Sequence, residues 1–390
     1  MLTSQMEYKT KDETQAIHIQ LNAFEGKGGV TDYHLLLSIT NPLLSFKEQL
    51  QIIRQSYAAI VEEKLGRKAV AVFRRYFLSD AANQADLLAE QESLNPFCAL
   101  SVIQQAPLNG TKIALWAYLQ TGSGIETETH SSGMFEAAHN GYRHLWAGNL
   151  HSKAADPEYQ TRLALEDYIL RLTEQGGTLA SNCIRTWFFV QNIDVNYAGV
   201  VKARKEVFFT QDLTEKTHYI ASTGIEGRNA DPQVLTTMDA YAVDGLLPEQ
   251  IRYLYAKTHL NPAYEYGVTF ERGVAVTYGD RKHIFLSGTA SIDNRGNILY
   301  PGNILKQTER MLENIRALLE EAGASLRDIK QALVYLRDPS DYQVVERYIQ
   351  AHHPYLPHLI MLAPVCRPGW LIETECIAIT GDGDPKYNCL

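Results

Sequence analysis

Residues 283–290 read HIFLSGTA: three apolar residues behind a histidine, then small and polar ones, the pattern of a short buried strand. The same pattern stands at 34–41 as HLLLSITN and at 144–151 as HLWAGNLH, so its starts are 110 and 139 residues apart. A helix-like segment follows each copy. Behind the third, Met311, Leu312, Ile315, Leu318, Leu319 and Ala322 recur at steps of three and four and make one apolar face. Behind the second come Leu165, Tyr168, Ile169 and Leu172, and behind the first Leu50, Ile53, Tyr57, Ile60 and Val61. Each segment runs into a glycine, Gly66, Gly176 or Gly323, a common helix stop.

The echo continues outward. A second strand rich in β-branched and aromatic residues follows in each copy: AVAVFRRYFLSD (69–80), CIRTWFFVQNID (183–194) and IKQALVYLRDPSD (329–341). Then come a second helix and two closing strands, ending in TKIALWAYLQ (111–120), VLTTMDAYAV (234–243) and WLIETECIAI (370–379). The order strand, helix, strand, helix, strand, strand therefore occurs three times. This predicts an α+β protein of three similar units: residues 1–122, residues 123–244, and residues 245–390 comprising a connecting segment and the third unit. The polar stretch TGSGIETETHSSGMFEAAHNG (121–141) reads as the first linker.

Bulk properties narrow the function. The 390 residues carry a net charge of −9, with both signs scattered and no basic cluster. Nucleic acid and anionic membranes are therefore not expected partners. The first twenty residues lack a basic stretch followed by an apolar core, and no apolar run approaches the ~18 residues that span a bilayer. Five widely spaced cysteines without a CxxC fit a reducing cytoplasm. The twelve histidines show no HxH or HxxxH spacing, and no GxGxxG or P-loop occurs, so neither a metal nor a cofactor is expected.

The third copy, about residues 280–380, resembles the Rid (YjgF-like) family through FLSGTASID, QTERMLENIRALLEEAGASLRDIKQALVYLRDPSDYQVVERY and LIETECIAI. That resemblance implies a chorismate-mutase-like unit, and subunits grouped three around an axis with ligand clefts between them. Three copies in one chain then make a covalent, monomeric pseudo-trimer. Residues 180–380 resemble a narrower family, the chorismatases, which remove pyruvate from chorismate. The carrying stretches are RTWFFVQNIDVNYAGVVKARKEVFF, ASTGIEG, NPAYEYGVTFERG, SGTAS and CRPGWLIETE. The chain departs from that family's pattern at Trp187-Phe188-Phe189 and between Val200 and Arg204.

The last strand draws attention to itself. Alternation puts Leu371, Glu373, Glu375, Ile377 and Ile379 on one face. Read on that pattern alone, both acids also suit ion pairs at a seam between units. Aligned with the other copies, Glu373 meets Ala114 and Thr237, and Glu375 meets Trp116 and Asp239, so Glu373 is a carboxylate that its counterparts lack. The resemblance makes Glu373 the general acid. Apolar surroundings raise a carboxyl's pKa, and the like charge of Glu375, a supporting residue, raises it further. The dicarboxylate substrate calls for planar donors, and Arg185, Arg204 and Arg272 match arginines of the family's motifs. Tyr197 is a candidate donor, and Thr223 is expected in the cleft wall. Gly288 together with Cys366 resembles the members that form 3-hydroxybenzoate. The alternatives are a Rid-type imine or enamine deaminase and a non-catalytic Rid-fold binding protein. Deaminating members use an arginine about fifteen residues before the strand glutamate, where this chain has His358.

Overall fold

The computed structural model describes residues 5–7, 16–66, 69–94 and 97–390, with only the backbone at 5–7 and Tyr266. Most of the N-terminal stretch scanned for a leader lies outside the described residues.

Three six-stranded sheets follow one another along the chain. The first holds β1 (Gln5–Glu7), β2 (Ile17–Glu25), β3 (Thr31–Ile39), β4 (Val70–Leu78), β5 (Ala99–Gln104) and β6 (Ile113–Thr121). The second holds β7 (Glu126–Thr129), β8 (Phe135–His139), β9 (Tyr142–His151), β10 (Cys183–Val190), β11 (Ala221–Glu226) and β12 (Thr236–Asp244). The third holds β13 (Ile251–Leu254), β14 (Gly273–Thr277), β15 (Lys282–Ala290), β16 (Ile329–Leu336), β17 (His358–Leu362) and β18 (Ile372–Thr380). In each sheet the spatial order is first, second, third, sixth, fourth, fifth. The fourth and fifth strands pair in parallel and the other pairs are antiparallel. The expected threefold α+β repeat is present, and each unit has two further strands ahead of those read from the sequence.

One expectation is corrected. The stretch 121–141 is not a bare linker: β7 and β8 lie in it and form the outer edge of the second sheet. β7 reads Glu-Thr-Glu-Thr and is exposed throughout, so it has no apolar face to betray it. Polar, charged edges are how sheets avoid pairing with other chains.

Helices cover one face of each sheet: α1 (Phe46–Ala59) and α2 (Ala81–Glu92), then α3 (Pro157–Glu174), the short α4 (Leu179–Asn182) and α5 (Ile193–Thr210), then α6 (Ile304–Glu321) and α7 (Tyr342–His352). Their starts are written locally. Ser45 and Glu48 form a reciprocal capping box on α1, Asp156 accepts from the Tyr159 N–H ahead of α3, and Asn303 accepts from the Lys306 N–H ahead of α6. α6 ends before Gly323, whose φ of +79° suits a residue without a Cβ.

The opposite faces of the sheets meet on a common axis. Phe73 and Trp116 of the first unit, Trp146, Trp187 and Tyr241 of the second, and Phe285 of the third share one core there. Each buried tryptophan removes enough surface from water to contribute, as an upper figure, roughly 4–6 kcal/mol. The ring closes through the fifth strand of each unit: β5 packs on β9, β11 on β15 and β17 on β3. Isolated bridges Gln104–Arg228, Ile225–Val365 and Pro107–Met361 stitch the three seams.

Candidate active site

Strand register gives the threefold equivalence without reference to side chains. Glu373 lies opposite Tyr335, Thr237 opposite Phe189 and Ala114 opposite Phe77, each one residue before the last pair of its parallel strand pair. The three seams can therefore be compared position by position.

The seam between the second and third units opens into a cleft of about 500 Å3. α5 contributes Tyr197 and Arg204, seven residues apart and so on one helix face. β11 contributes Thr223 and Gly224, β15 contributes Gly288, and β18 contributes Glu373. The strap ahead of β14 adds Phe270 and Arg272, and the loop ahead of β18 adds Cys366, Arg367 and Trp370. A register shift between Leu286 and Thr289 bulges β15 toward the cleft.

Glu373 is 5% exposed. Burial is the main cause that pushes its carboxyl up to about 8, and the neighbouring charge of Glu375 adds to it, while Arg272 and Arg185 pull the other way. Its proton is thus retained at neutral pH. The space it occupies depends on Gly288, because a Cβ there would stand 2.1 Å from Glu373 Oε1. Gly224 plays the same part for Tyr197, with 2.8 Å between a Cβ and the ring.

Arg204 is 1% exposed and lies between the Phe188 and Phe270 rings, 5.7 and 5.9 Å from their centroids. Its Nε donates to Thr269 Oγ1 at 3.2 Å. Its Nη2 is buried without a hydrogen-bond partner among the described residues. A buried guanidinium nitrogen left open is costly unless an anion meets it. Arg272 is held facing the cleft by Asn261, to whose carbonyl its Nε and Nη2 donate at 3.0 and 2.9 Å. Burial, together with the nearby Glu373, pushes the Cys366 thiol up to about 12, so it serves as a neutral wall.

Arg185 departs from the expectation of a substrate contact. It lies beneath the cleft, not among its lining residues, and pairs with Glu375 at 2.7 Å. It also donates to Thr223 Oγ1 and, at 3.3 Å, to Ser287 Oγ. Glu375 is likewise buried below the floor. Sequence reasoning does not single out Phe270, Arg367 or Trp370, although all three lie inside the stretches that carry the resemblance.

The other two seams differ. Between the third and first units, Ala114 takes the place of Glu373 and Gln20 that of Arg272. The Gln20 amide is spent on the backbone of His358, donating at 2.9 Å and accepting at 3.0 Å. The His358 ring is tied to Glu346 and to the Leu356 carbonyl. Between the first and second units, Thr237 takes the carboxylate's place, and Gly148 packs so closely that a Cβ would lie 2.3 Å from the Leu100 carbonyl oxygen. Among the described residues no group of three or more His, Cys, Asp or Glu is placed to hold a metal, and no helix is long and apolar enough to cross a membrane.

The fold is that of three Rid/YjgF-like units arranged as a pseudo-trimer, and comparison with known proteins places it. Residues 272–380 match the family model described as endoribonuclease L-PSP. A RutC family protein of Pyrococcus horikoshii is 42% identical over 97 residues, which are 24% of this chain and 77% of that protein. The 3-aminoacrylate deaminase RutC of Acinetobacter baylyi is 30% identical over 100 residues, again 77% of its length. A RutC family protein of Pyrococcus abyssi is 48% identical over 59 residues, which span about half, 46%, of that relative. The chain belongs to the RutC family. Across 79% of this chain and 92% of the other, its fold is similar to a solved chorismatase structure, with a TM-score of 0.62 and 17% identity.

Proposed function

We propose that this chain cleaves the enol ether of chorismate and releases pyruvate, with Glu373 as the general acid. The observation that carries the reading is a buried carboxyl, pushed up to about 8 by that burial, facing the same cleft as an arginine nitrogen with no partner. The fold shared with a chorismatase supports it. Glu373 gives its proton to the terminal methylene carbon, the π pair forms the new C–H bond, and the ether oxygen stabilises the resulting cation. Arg204 and Arg272 meet the substrate carboxylates, and Phe270 and Trp370 keep water from the cation's flanks. Water adds at the cation and passes a proton back to the Glu373 carboxylate, and collapse of the resulting hemiketal gives pyruvate and a dihydroxycyclohexadiene carboxylate. Formation of 3-hydroxybenzoate, toward which Gly288 and Cys366 point, needs no net water, because 3-hydroxybenzoate and pyruvate together have the atoms of chorismate.

The test is incubation with chorismate, with pyruvate followed through coupled lactate dehydrogenase. Steady NADH oxidation is expected, and its absence above background sinks the proposal. Chromatography of the ring product decides between the two outcomes. Gly288→Ala provides a geometric check. Its new methyl group displaces the Glu373 carboxyl, and a displacement of this size at a reacting group costs about 100-fold in rate. Unchanged turnover in Gly288→Ala would mean that Glu373 does not react from the position seen here.

A further inference from the structure

Beneath the floor of the cleft lies an ion network drawn from all three units. β4 of the first unit sends Arg75 to the axis, where it is fully buried. Its Nε and Nη2 donate to Asp239 of the second unit at 3.2 and 2.8 Å, and its Nη1 lies 3.6 Å from Glu375 of the third. Its guanidinium stands 4.8 to 5.2 Å from the centroids of Phe73, Trp116, Trp187 and Phe189. Glu375 Oε1 accepts from Trp187 Nε1 at 2.9 Å and from the Tyr335 hydroxyl at 3.2 Å, while Oε2 accepts from Arg185 at 2.7 Å. Two arginines and two carboxylates thus balance in a dry core, where either carboxylate alone is strongly disfavoured.

Nothing in this arrangement touches the cleft directly. It ends, however, at two of the cleft's walls. Arg185 donates to Thr223 Oγ1, which also accepts the Gly288 N–H at 3.0 Å. Tyr335, a donor to Glu375, stands opposite Glu373 on β16. Glu375 and Glu373 share one face of β18, two residues apart and so about 7 Å along the strand.

Resting on the reading of Glu373 as general acid, we propose that Glu375 is a positioning residue for it: a negative charge fixed beneath the cleft by Arg185 and by Arg75 of the first unit. Arg185 then serves the site by holding Glu375 and not by binding substrate. The first unit, which lines no part of this cleft, is needed for it through Arg75. The groups that face Glu373 are Glu375 on its own strand, Tyr335 on β16, Arg185 on β10, Arg272 ahead of β14, Cys366 and Arg367 ahead of β18, and, across the cleft on α5, Tyr197 and Arg204. Of these, Glu375 is the anion close enough to disfavour loss of the Glu373 proton.

Charge and shape make opposite demands here, so two substitutions separate them. Glu375→Gln keeps the shape and removes the charge, and Glu375→Asp does the reverse. The readout is the carboxylic C=O band of Glu373 in infrared difference spectra without substrate, each protein taken against its own Glu373→Gln control over a pH series. This stands whether or not chorismate is the substrate. Expected is a Glu373 band that titrates at least about one pH unit lower in Glu375→Gln and near the parent value in Glu375→Asp. Arg75→Met combined with Glu375→Gln removes a cation and an anion together, and is expected to show the same lowering in a charge-balanced core. An unshifted band in both proteins that lack the Glu375 charge, or an equal shift in Glu375→Asp, overturns the proposal.

Discussion

Glu373→Gln is expected to reduce pyruvate release about 10³-fold or more and, at the same time, to make the protein more stable at neutral pH. The first effect follows from removing the proton donor, since general acids contribute about 10² to 10⁴ in rate. The second follows from linkage. The Glu373 carboxyl is pushed from its usual 4.5 up to about 8, chiefly by burial. A carboxyl raised in the folded state opposes folding wherever the unfolded chain has already released that proton. The penalty is absent below pH 4.5, grows between 4.5 and 8, and comes to about 3 kcal/mol at pH 7. Glutamine has no proton to lose and no such penalty. Urea unfolding of both proteins between pH 4.5 and 8 is expected to show a gap that opens with rising pH. A constant gap would remove the claim that Glu373 is held protonated, and an active Glu373→Gln would remove its role.

The opposite limb belongs to two histidines on the axis. His34 and His144 are each held down to about 3, with burial the main cause in both; His283 adds to it, and Asp32 opposes it. The hydrogen bonds agree. His34 Nδ1 accepts from Trp116 Nε1 at 3.2 Å, which a protonated nitrogen cannot do, and its ring stacks on Tyr118. His144 Nδ1 meets the Tyr241 hydroxyl at 2.7 Å, and its Nε2 has no partner. Below pH 6.5 the unfolded chain takes up protons that these rings refuse, so stability falls as pH falls from 6.5 toward 3. Each ring costs about 1.4 kcal/mol per pH unit, and the two together about 5 kcal/mol by pH 4.5. That is comparable with the whole stability of many domains. Replacing both by glutamine, which can still accept from Trp116 and Tyr241, is expected to move the acid unfolding midpoint to lower pH. Identical acid transitions in the parent and the double variant would place the acid sensitivity elsewhere.

With both limbs in view, the pH of greatest stability is expected at about 6.5, where the fading rise from the two histidines balances the loss through Glu373. The substitution Glu373→Gln should flatten the alkaline side and, because the penalty sets in at pH 4.5, steepen the rise between pH 4.5 and 6.5.

The sequence alone determined the three-unit α+β architecture, because helical and strand periodicities are local and recur at 34, 144 and 283. It also picked out Glu373, because comparison between copies of a repeat needs no contacts: Ala114 and Thr237 stand at its place by register as they do by alignment. The edge strand β7 escaped, since an exposed Glu-Thr-Glu-Thr carries no apolar signal. Only the tertiary structure decided what Arg185 does. Its partner Glu375 is 190 residues away, and whether an arginine faces a cleft or a buried acid is written in no local pattern. The same holds for Gln20, which stitches its seam through the backbone of His358, and for Arg75, whose contacts lie on the two other units. Periodicity reports which face of an element is buried. What that face is buried against is set by how the three sheets meet around the axis.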